Sequence, residues 1–335
     1  MAQWYFDDDA DLSLLDGLTI GILGYGNQGR SQALNMRDNG LNVIVGNRPD
    51  SSFDRAKEDG FPAYDWAEAA SRADILFLLV PDEVMPALYD EHVEPGLEEG
   101  NALVFASGYN IYFEHIQPPE TVDVLMLAPR MIGQGVRDHF VSGESFPSMI
   151  AVEQDATGKA MPRVLALAKG IGSTKMGVVM SSFEEETVVD LFTEHLGPLY
   201  AIRRHFEALV EAGYSPEVLV MELYGSGEMI AISQAYRDLG LWAQLPLHSR
   251  TSQFGQEVWS KMMEEDASGE EERLRRIIEN IRNGEFDRRW TAEQQAGYPE
   301  FEQQRQKNLN HPMVQAEQKL YRLLGRIEDA GGDTG

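Results

Sequence analysis

A glycine-rich stretch near the start of the chain has the residue types and the spacing to bind a dinucleotide. In GILGYGNQGRSQ, residues 21–32, the first glycine of a G-x-G-x-x-G pattern permits a tight turn. The second lets the backbone approach a pyrophosphate, and the third lets a helix pack closely on a strand. The helix N-terminus adds free N–H groups and a positive partial charge. We expect cofactor contacts from Gly24, Tyr25, Gly26, Asn27, Gln28 and Gly29.

A second group of polar residues follows about 20 residues later, where the adenosine ribose of such a cofactor would lie. In GNRPDSSFDR, Arg48, Ser51 and Ser52 could offer a guanidinium and hydroxyl donors to a 2′-phosphate. The carboxylate of Asp50 would repel that phosphate, and Pro-Asp-Ser-Ser is also good turn chemistry. The sequence favours NADPH, with NADH as the alternative.

The elements around these residues predict an α/β fold. An apolar run at 18–23 predicts a buried strand, SQALNMRDNG predicts a helix, and LNVIVG predicts a second strand. Because ADILFLLVPDE, NALVFASGYN and VDVLMLAPR continue the alternation, we predict a Rossmann-type parallel sheet. Ligands bind at the carboxyl ends of such strands. Further cofactor contacts are therefore expected from Val80, Pro81, Asp82, Ser107 and Gly108.

Composition limits the class of protein. A net charge of −27 disfavours nucleic acid and anionic membranes as partners. No apolar run reaches the roughly 18 residues that a membrane span needs. The chain has no cysteine, which excludes disulfides, thiolate metal sites and a cysteine nucleophile. That composition fits a reducing cytoplasm, where we expect the protein.

The second half of the chain has a different character. Long segments with helical spacing follow residue 180, and the first opens with Ser182 and Glu185 at the spacing of a capping box. The 335 residues are enough for two domains. We predict a Rossmann-type domain over residues 1–180 and an all-helical domain over residues 181–330.

From Gly17 to about Leu323 the chain resembles ketol-acid reductoisomerase of the short type. The resemblance is carried by LGYGNQGRSQALNMRDNG, VGNRPDSSFDRAKEDGF, LVPDE, FASGYNIYF and FEEETVVDLFTEH. It implies an NADPH-binding Rossmann domain and a knotted helical domain that completes the active site across a homodimer, or within a higher oligomer. The implied reaction is a Mg²⁺-assisted alkyl shift in a 2-hydroxy-2-alkyl-3-oxo acid, followed by hydride reduction.

The resemblance also implies four carboxylates, two on each of two helices, that hold two Mg²⁺ ions. Asp190 and Glu194 match the first pair, whereas Ser226 and Ile230 replace the second. We therefore expect at most one ion, at Asp190 and Glu194. If they are buried with raised pKa values, these two residues could instead serve as proton donor and orienter. They could also form only a solvated acidic face.

Other positions depart from the family pattern. Ser107 replaces the catalytic histidine, and Arg130 replaces a lysine beside the metal–substrate cluster. Serine cannot act as a near-neutral base, and arginine cannot lose a proton as lysine can. The serine that holds the substrate carboxylate is retained at Ser249, beside Arg250. We expect catalytic roles for Ser107, Arg130, Asp190 and Glu194, and substrate contacts from Arg130, Ser249 and Arg250.

The residues expected to bind the nucleotide thus match the family pattern, while several residues expected to carry out the reaction differ from it. We predict NAD(P)H-dependent reduction of a small anionic substrate with a C=O or C=N bond, a 2-oxo acid or a relative, with the isomerase step weak or lost. An ordinary ketol-acid reductoisomerase of branched-chain amino acid biosynthesis is one alternative. A non-catalytic NADP(H)-binding homodimer is the other.

Overall fold

The computed structural model describes residues 2–265 and 268–327. The chain divides into two compact units, with the boundary between Asp190 and Leu191. That boundary falls inside the helix Phe183–His195, whereas the predicted boundary, at residue 180, lies just before this helix. Among the described residues, no helix combines the length and the apolar character that crossing a bilayer requires.

A mixed sheet forms the centre of the first unit. In the described residues its nine strands lie in the order β1-β9-β8-β7-β6-β5-β2-β3-β4. They are β1 Trp4–Tyr5, β2 Thr19–Leu23, β3 Asn42–Gly46, β4 Ala63–Tyr64, β5 Ile75–Leu78, β6 Ala102–Phe105, β7 Asp123–Pro129, β8 Ser148–Gln154 and β9 Val178–Met180. The six strands from β7 to β4 are parallel; five of them belong to the predicted parallel sheet, and the short strand β4 was not predicted. β8 joins β7 in antiparallel register, and the predicted strands did not include it.

Helices connect the strands and cover both faces of the sheet. Strand residues on the two faces enter separate apolar clusters, with Ile22 in one and Leu76 in the other, because parallel strands are buried on both sides. The helices are α1 Asn27–Asp38, α2 Ser51–Glu58, α3 Trp66–Arg72, α4 Met85–Leu88, α5 Tyr109–Tyr112, α6 Gly133–Ser142, α7 Ala160–Ile171 and α8 Phe183–His195. The hydroxyl of Ser182 accepts the N–H of Glu185 at 3.0 Å, so α8 begins at the predicted cap.

The second unit is helical, as predicted. Its helices are α9 Leu199–Glu211, α10 Pro216–Val220, α11 Glu228–Leu239, α12 Arg250–Glu265, α13 Ser268–Arg282, α14 Glu285–Gln295, α15 Pro299–Leu309 and α16 Pro312–Leu323. Between α10 and α11 the chain forms a short π-helix, Met221–Gly225, and then turns at Gly227 with a φ of +86°. The left-handed conformation of Gly227 therefore separates α11 from the helical turns before it.

Candidate functional site

The glycine-rich loop between β2 and α1 has the shape that the sequence predicts. Gly24 has a φ of +96°, and a Cβ there would lie 2.6 Å from the carbonyl oxygen of Leu79. A Cβ on Gly29 would collide with the carbonyl oxygen of Gly24. A Cβ on Gly26, in contrast, would have no protein atom within 4 Å. The outer two glycines are thus required by packing, and the middle one borders open space at the start of α1.

That open space fits the phosphates of a dinucleotide. Helix α1 has no side-chain cap at its N-terminus, so its first N–H groups can donate to an anion. Asn27 is exposed beside it. The side chain of Gln28 instead donates to the carbonyl of Met131 at 2.9 Å, which ties the loop to the chain after β7.

The side chain of Tyr25 anchors the glycine-rich loop. It is buried, and its hydroxyl donates to Asp59 at 2.8 Å. Arg30 donates to the same carboxylate at 2.7 Å. This bond to Arg30 holds the pKa of Asp59 below its usual range, while burial raises the pKa of Tyr25. Any contact of Tyr25 with a cofactor would therefore come from its backbone.

At the ribose end, Asp50 binds the residues that were expected to hold a 2′-phosphate. One carboxylate oxygen accepts from Nε of Arg48 at 2.8 Å. The other accepts from the N–H of Ser52 at 2.9 Å and so caps α2. The bond from Arg48 also lowers the pKa of Asp50. Ser51 is exposed at the first position of α2.

The loops after β5 and β6 lie side by side at the carboxyl edge. Val80 is half-buried and Pro81 is exposed. The backbone carbonyl of Asp82 accepts from Nδ2 of Asn110 at 3.2 Å, which joins the two loops. Ser107 accepts the N–H of Tyr109 through its hydroxyl oxygen at 3.2 Å. The predicted residues of these loops therefore lie at the edge where ligands bind in such folds.

Arg130, which follows β7, joins this edge to helix α8. Its Nη1 donates to Asp190 at 2.8 Å and its Nη2 to Glu186 at 3.0 Å. The other oxygen of Glu186 accepts the backbone N–H of Gly108 at 2.7 Å. Burial raises the pKa of Glu186, although the Gly108 N–H and the Arg130 charge act in the opposite direction.

Glu186 was missed by the sequence analysis. It is only 1% exposed and lies one helical turn before Asp190 on α8. The signal in the sequence was the same i, i+4 spacing that drew attention to Asp190 and Glu194. The approach to Gly108 is close, because a Cβ there would collide with the carbonyl oxygen of Phe183 at the start of α8.

The remaining predicted residues belong to the second unit. Glu194 lines a cavity of about 390 Å³ there, together with His195, Arg203 and His311. Ser249 accepts the N–H of Ser252 at 3.2 Å through its hydroxyl oxygen, in the first turn of α12. Arg250 is exposed at the first position of that helix.

The carboxylates of the described residues do not fit a metal centre. Within residues 2–261 and 269–327, whose side chains the structure describes, no three His, Asp or Glu side chains converge as metal ligands would. Asp190 and Glu186 are both bonded to a guanidinium. The expected ion at Asp190 and Glu194 therefore has no support from this arrangement.

Family models match both halves of the chain. Residues 14–177 match the model for "Acetohydroxy acid isomeroreductase, NADPH-binding domain". Residues 183–325 match the model for "Ketol-acid reductoisomerase, C-terminal domain". The chain belongs to the ketol-acid reductoisomerase family. Its members are NAD(P)-dependent oxidoreductases, and the predicted enzyme class is thereby confirmed.

Similar proteins span the same length. A Saccharolobus solfataricus relative that carries the family name is 44% identical over 329 residues, which cover 95% of this chain and 97% of the relative. The Methanopyrus kandleri ketol-acid reductoisomerase (NADP(+)) is 41% identical, covering 97% and 99%. A solved structure of an NADH-preferring ketol-acid reductoisomerase from an uncultured archaeon has a TM-score of 0.90 at 34% identity, covering 96% and 99%.

Proposed function

We propose that this member of the ketol-acid reductoisomerase family reduces a small 2-oxo acid, or a related C=O or C=N compound, and that its alkyl-shift step is weak or lost. The pairing of Arg130 with both Glu186 and Asp190 supports the proposal most directly. It places a fixed positive charge on helix α8 where the family reaction would need carboxylates open to metal.

The reduction uses parts that this chain retains. A nicotinamide cofactor held at the glycine-rich loop would supply the hydride for the carbonyl carbon, and water would supply the proton for the carbonyl oxygen. Arg130 stabilises the negative charge that develops on that oxygen, since N–H donors aimed at a developing oxyanion lower the barrier. The hydroxyl of Ser107 lies at the same edge and orients the substrate. Ser249 and Arg250 hold the substrate carboxylate, provided that the helical domain completes the site across a homodimer as the resemblance implies.

The alkyl shift demands more than this. It needs two adjacent substrate oxygens to be clamped while alkoxide charge builds, which is the task of paired divalent ions. Two of the four expected carboxylates are replaced by Ser226 and Ile230, and Asp190 is bonded to Arg130. The guanidinium of Arg130 can stabilise negative charge on one substrate oxygen. Reduction needs no more than this, whereas migration of the alkyl group requires two substrate oxygens to be held.

Asp50 points to NADH as the preferred cofactor. A 2′-phosphate would have to displace this carboxylate from both Arg48 and the N-terminus of α2. The ribose 2′-hydroxyl of NADH can instead donate to a carboxylate. The solved relative with the TM-score of 0.90 is described as NADH-preferring, which agrees with this preference.

An ordinary ketol-acid reductoisomerase remains the second candidate. It is favoured by the names of relatives that are about 40% identical over their whole length, and by the retention of Asp190 and Glu194.

One experiment separates the two candidates. The purified protein is given NADH or NADPH, with and without Mg²⁺, and either 2-acetolactate or the 3-hydroxy-3-methyl-2-oxo acid that the alkyl shift would yield. We expect cofactor oxidation with 2-oxo acids, including the rearranged one, and little with 2-acetolactate. Robust turnover of 2-acetolactate with Mg²⁺ would contradict the proposal. Cofactor binding without oxidation across a panel of oxo acids and imines would favour a non-catalytic protein.

A further inference from the structure

The guanidinium of Arg130 lies between two carboxylates on one face of α8. Glu186 and Asp190 are four residues apart on that helix, which places their side chains on the same face. Arg130 donates to one oxygen of each, at 3.0 and 2.8 Å. Such a fork fits planar, charge-assisted recognition of oxygen atoms, which a lysine ammonium does not match.

Glu186 is poorly placed to bind another cation. Each of its two oxygens already accepts a hydrogen bond, one from Arg130 and one from the Gly108 N–H, and its side chain is only 1% exposed. The same guanidinium is bonded to Asp190, so a divalent ion at Asp190 would meet a positive charge next to its ligand. Magnesium also demands nearly ideal octahedral oxygen geometry. On this face of α8, the position beside both carboxylates is therefore already occupied by the guanidinium of Arg130.

The second unit departs from a regular helix between Ser226 and Ile230, the two positions that by the resemblance would carry the second pair of carboxylates. The chain between them turns at Gly227 with a φ of +86°, after the π-helix Met221–Gly225. Because these two positions are not one turn apart on a regular helix, even acidic side chains there would not share a face as the family pattern requires.

We infer that Arg130 is the built-in cation of this site and takes the place of divalent metal, so that the substrate is one that develops negative charge on a single oxygen. This inference rests on the proposed reductase function. The Arg130 side chain is 28% exposed at its edge of the sheet, while its Nε–H is buried and has no hydrogen-bond partner among the described residues. The matching substrate class is a 2-oxo or 2-imino acid with no need for paired metal ions.

Metal binding by the cofactor-loaded full-length protein tests the inference without any substrate. Mn²⁺ titrations followed by electron paramagnetic resonance compare the unsubstituted protein with Arg130→Lys. We expect no tight Mn²⁺ binding to the unsubstituted protein, and roughly tenfold or more tighter binding to Arg130→Lys, because changes beside metal ligands alter affinity on that scale. Arg163→Lys is the matched control, since Arg163 pairs with Asp123 at 2.8 Å at the opposite end of β7, and it should bind Mn²⁺ as weakly as the unsubstituted protein.

Three results would overturn the inference. They are stoichiometric tight Mn²⁺ binding to the unsubstituted protein, no gain in Arg130→Lys, and an equal gain in Arg163→Lys. If Arg130→Lys does not fold, Asp190→Asn decides: unchanged weak binding supports the inference, and loss of bound Mn²⁺ opposes it. Failure to oxidise NADH with any oxo or imino acid would count against the proposed function alone, because the metal titration needs no turnover.

Discussion

Glu186 accepts the backbone N–H of Gly108 at 2.7 Å, and this bond fixes helix α8 against the loop after β6. The same carboxylate accepts from Arg130 after β7. One buried side chain thus positions two loops of the carboxyl edge. The consequences can be measured at Glu186 and at the other residues that shape this edge.

Replacing Glu186 by Gln should change how stability depends on pH. Burial raises the pKa of Glu186, so the folded protein binds this proton more tightly than the unfolded chain does. That contribution is complete below the unfolded pKa of about 4.3 and declines as the pH rises through the raised pKa. Glu186→Gln should therefore become more stable relative to the unsubstituted protein as the pH rises through this window. Urea unfolding at a series of pH values measures the difference in stability between the two proteins. A difference that does not change with pH would contradict this prediction.

Alanine substitutions in the glycine loop should separate cofactor binding from folding. A Cβ on Gly26 meets no protein atom, so Gly26→Ala should keep its stability within about 0.5 kcal/mol. It should weaken NADH binding about tenfold, since lost bonds to a charged group cost about 1.5–3 kcal/mol. A Cβ on Gly29 collides with Gly24, so Gly29→Ala should lose about 1–3 kcal/mol of stability. Thermal unfolding and NADH titration test both, and equal stability of the two variants would refute the packing argument.

Cofactor preference should depend on Asp50. Asp50→Ser keeps an oxygen that can cap α2 and releases Arg48 to bind a phosphate. The ratio of kcat/KM for NADPH to that for NADH should rise about tenfold or more, because a charge-assisted hydrogen bond is worth about 1.5–3 kcal/mol. Asp54→Ser, also on α2, serves as the control. An unchanged ratio in Asp50→Ser would mean that this carboxylate does not select the cofactor.

Asp59 should support the glycine loop at neutral pH and lose that role in acid. Asp59→Asn removes the ion pair with Arg30. The expected loss in the free energy of unfolding is only about 1 kcal/mol, because the Arg30 side chain is 41% exposed. Arg30 lowers the pKa of Asp59. The contribution is therefore present above the unfolded pKa of about 3.9 and is lost as the pH falls through the folded pKa. The urea midpoints of the two proteins should therefore differ more at pH 7 than at pH 3, and an equal difference at the two pH values would contradict this prediction.

Local patterns in the sequence were enough to predict the glycine loop and the strands of the parallel sheet. Spacing within a few residues determines a βα turn, and the open space at Gly26 agrees with that reasoning. The capping box at Ser182 was equally local. The short apolar run of β8, SMIAVEQ, gave a weaker signal. Its antiparallel pairing with β7 joins segments that are separate in the sequence.

The role of Glu186 could not be predicted in the same way. It depends on Gly108, Arg130 and Glu186 coming together from three distant parts of the chain. Asp50 was expected to repel a 2′-phosphate, but its pairing with Arg48 was not predicted. That pairing depends on the backbone geometry at the start of α2, which the sequence does not specify.

A cation that belongs to the polypeptide cannot be exchanged. A metal centre changes its behaviour when magnesium is scarce or when iron, zinc or copper competes for its ligands. The guanidinium between Glu186 and Asp190 is always charged, and a chelator cannot remove it. With Arg130 in that position, the activity of this site would not depend on the cellular concentration of metal ions, whereas enzymes that need bound ions lose activity when those ions are scarce.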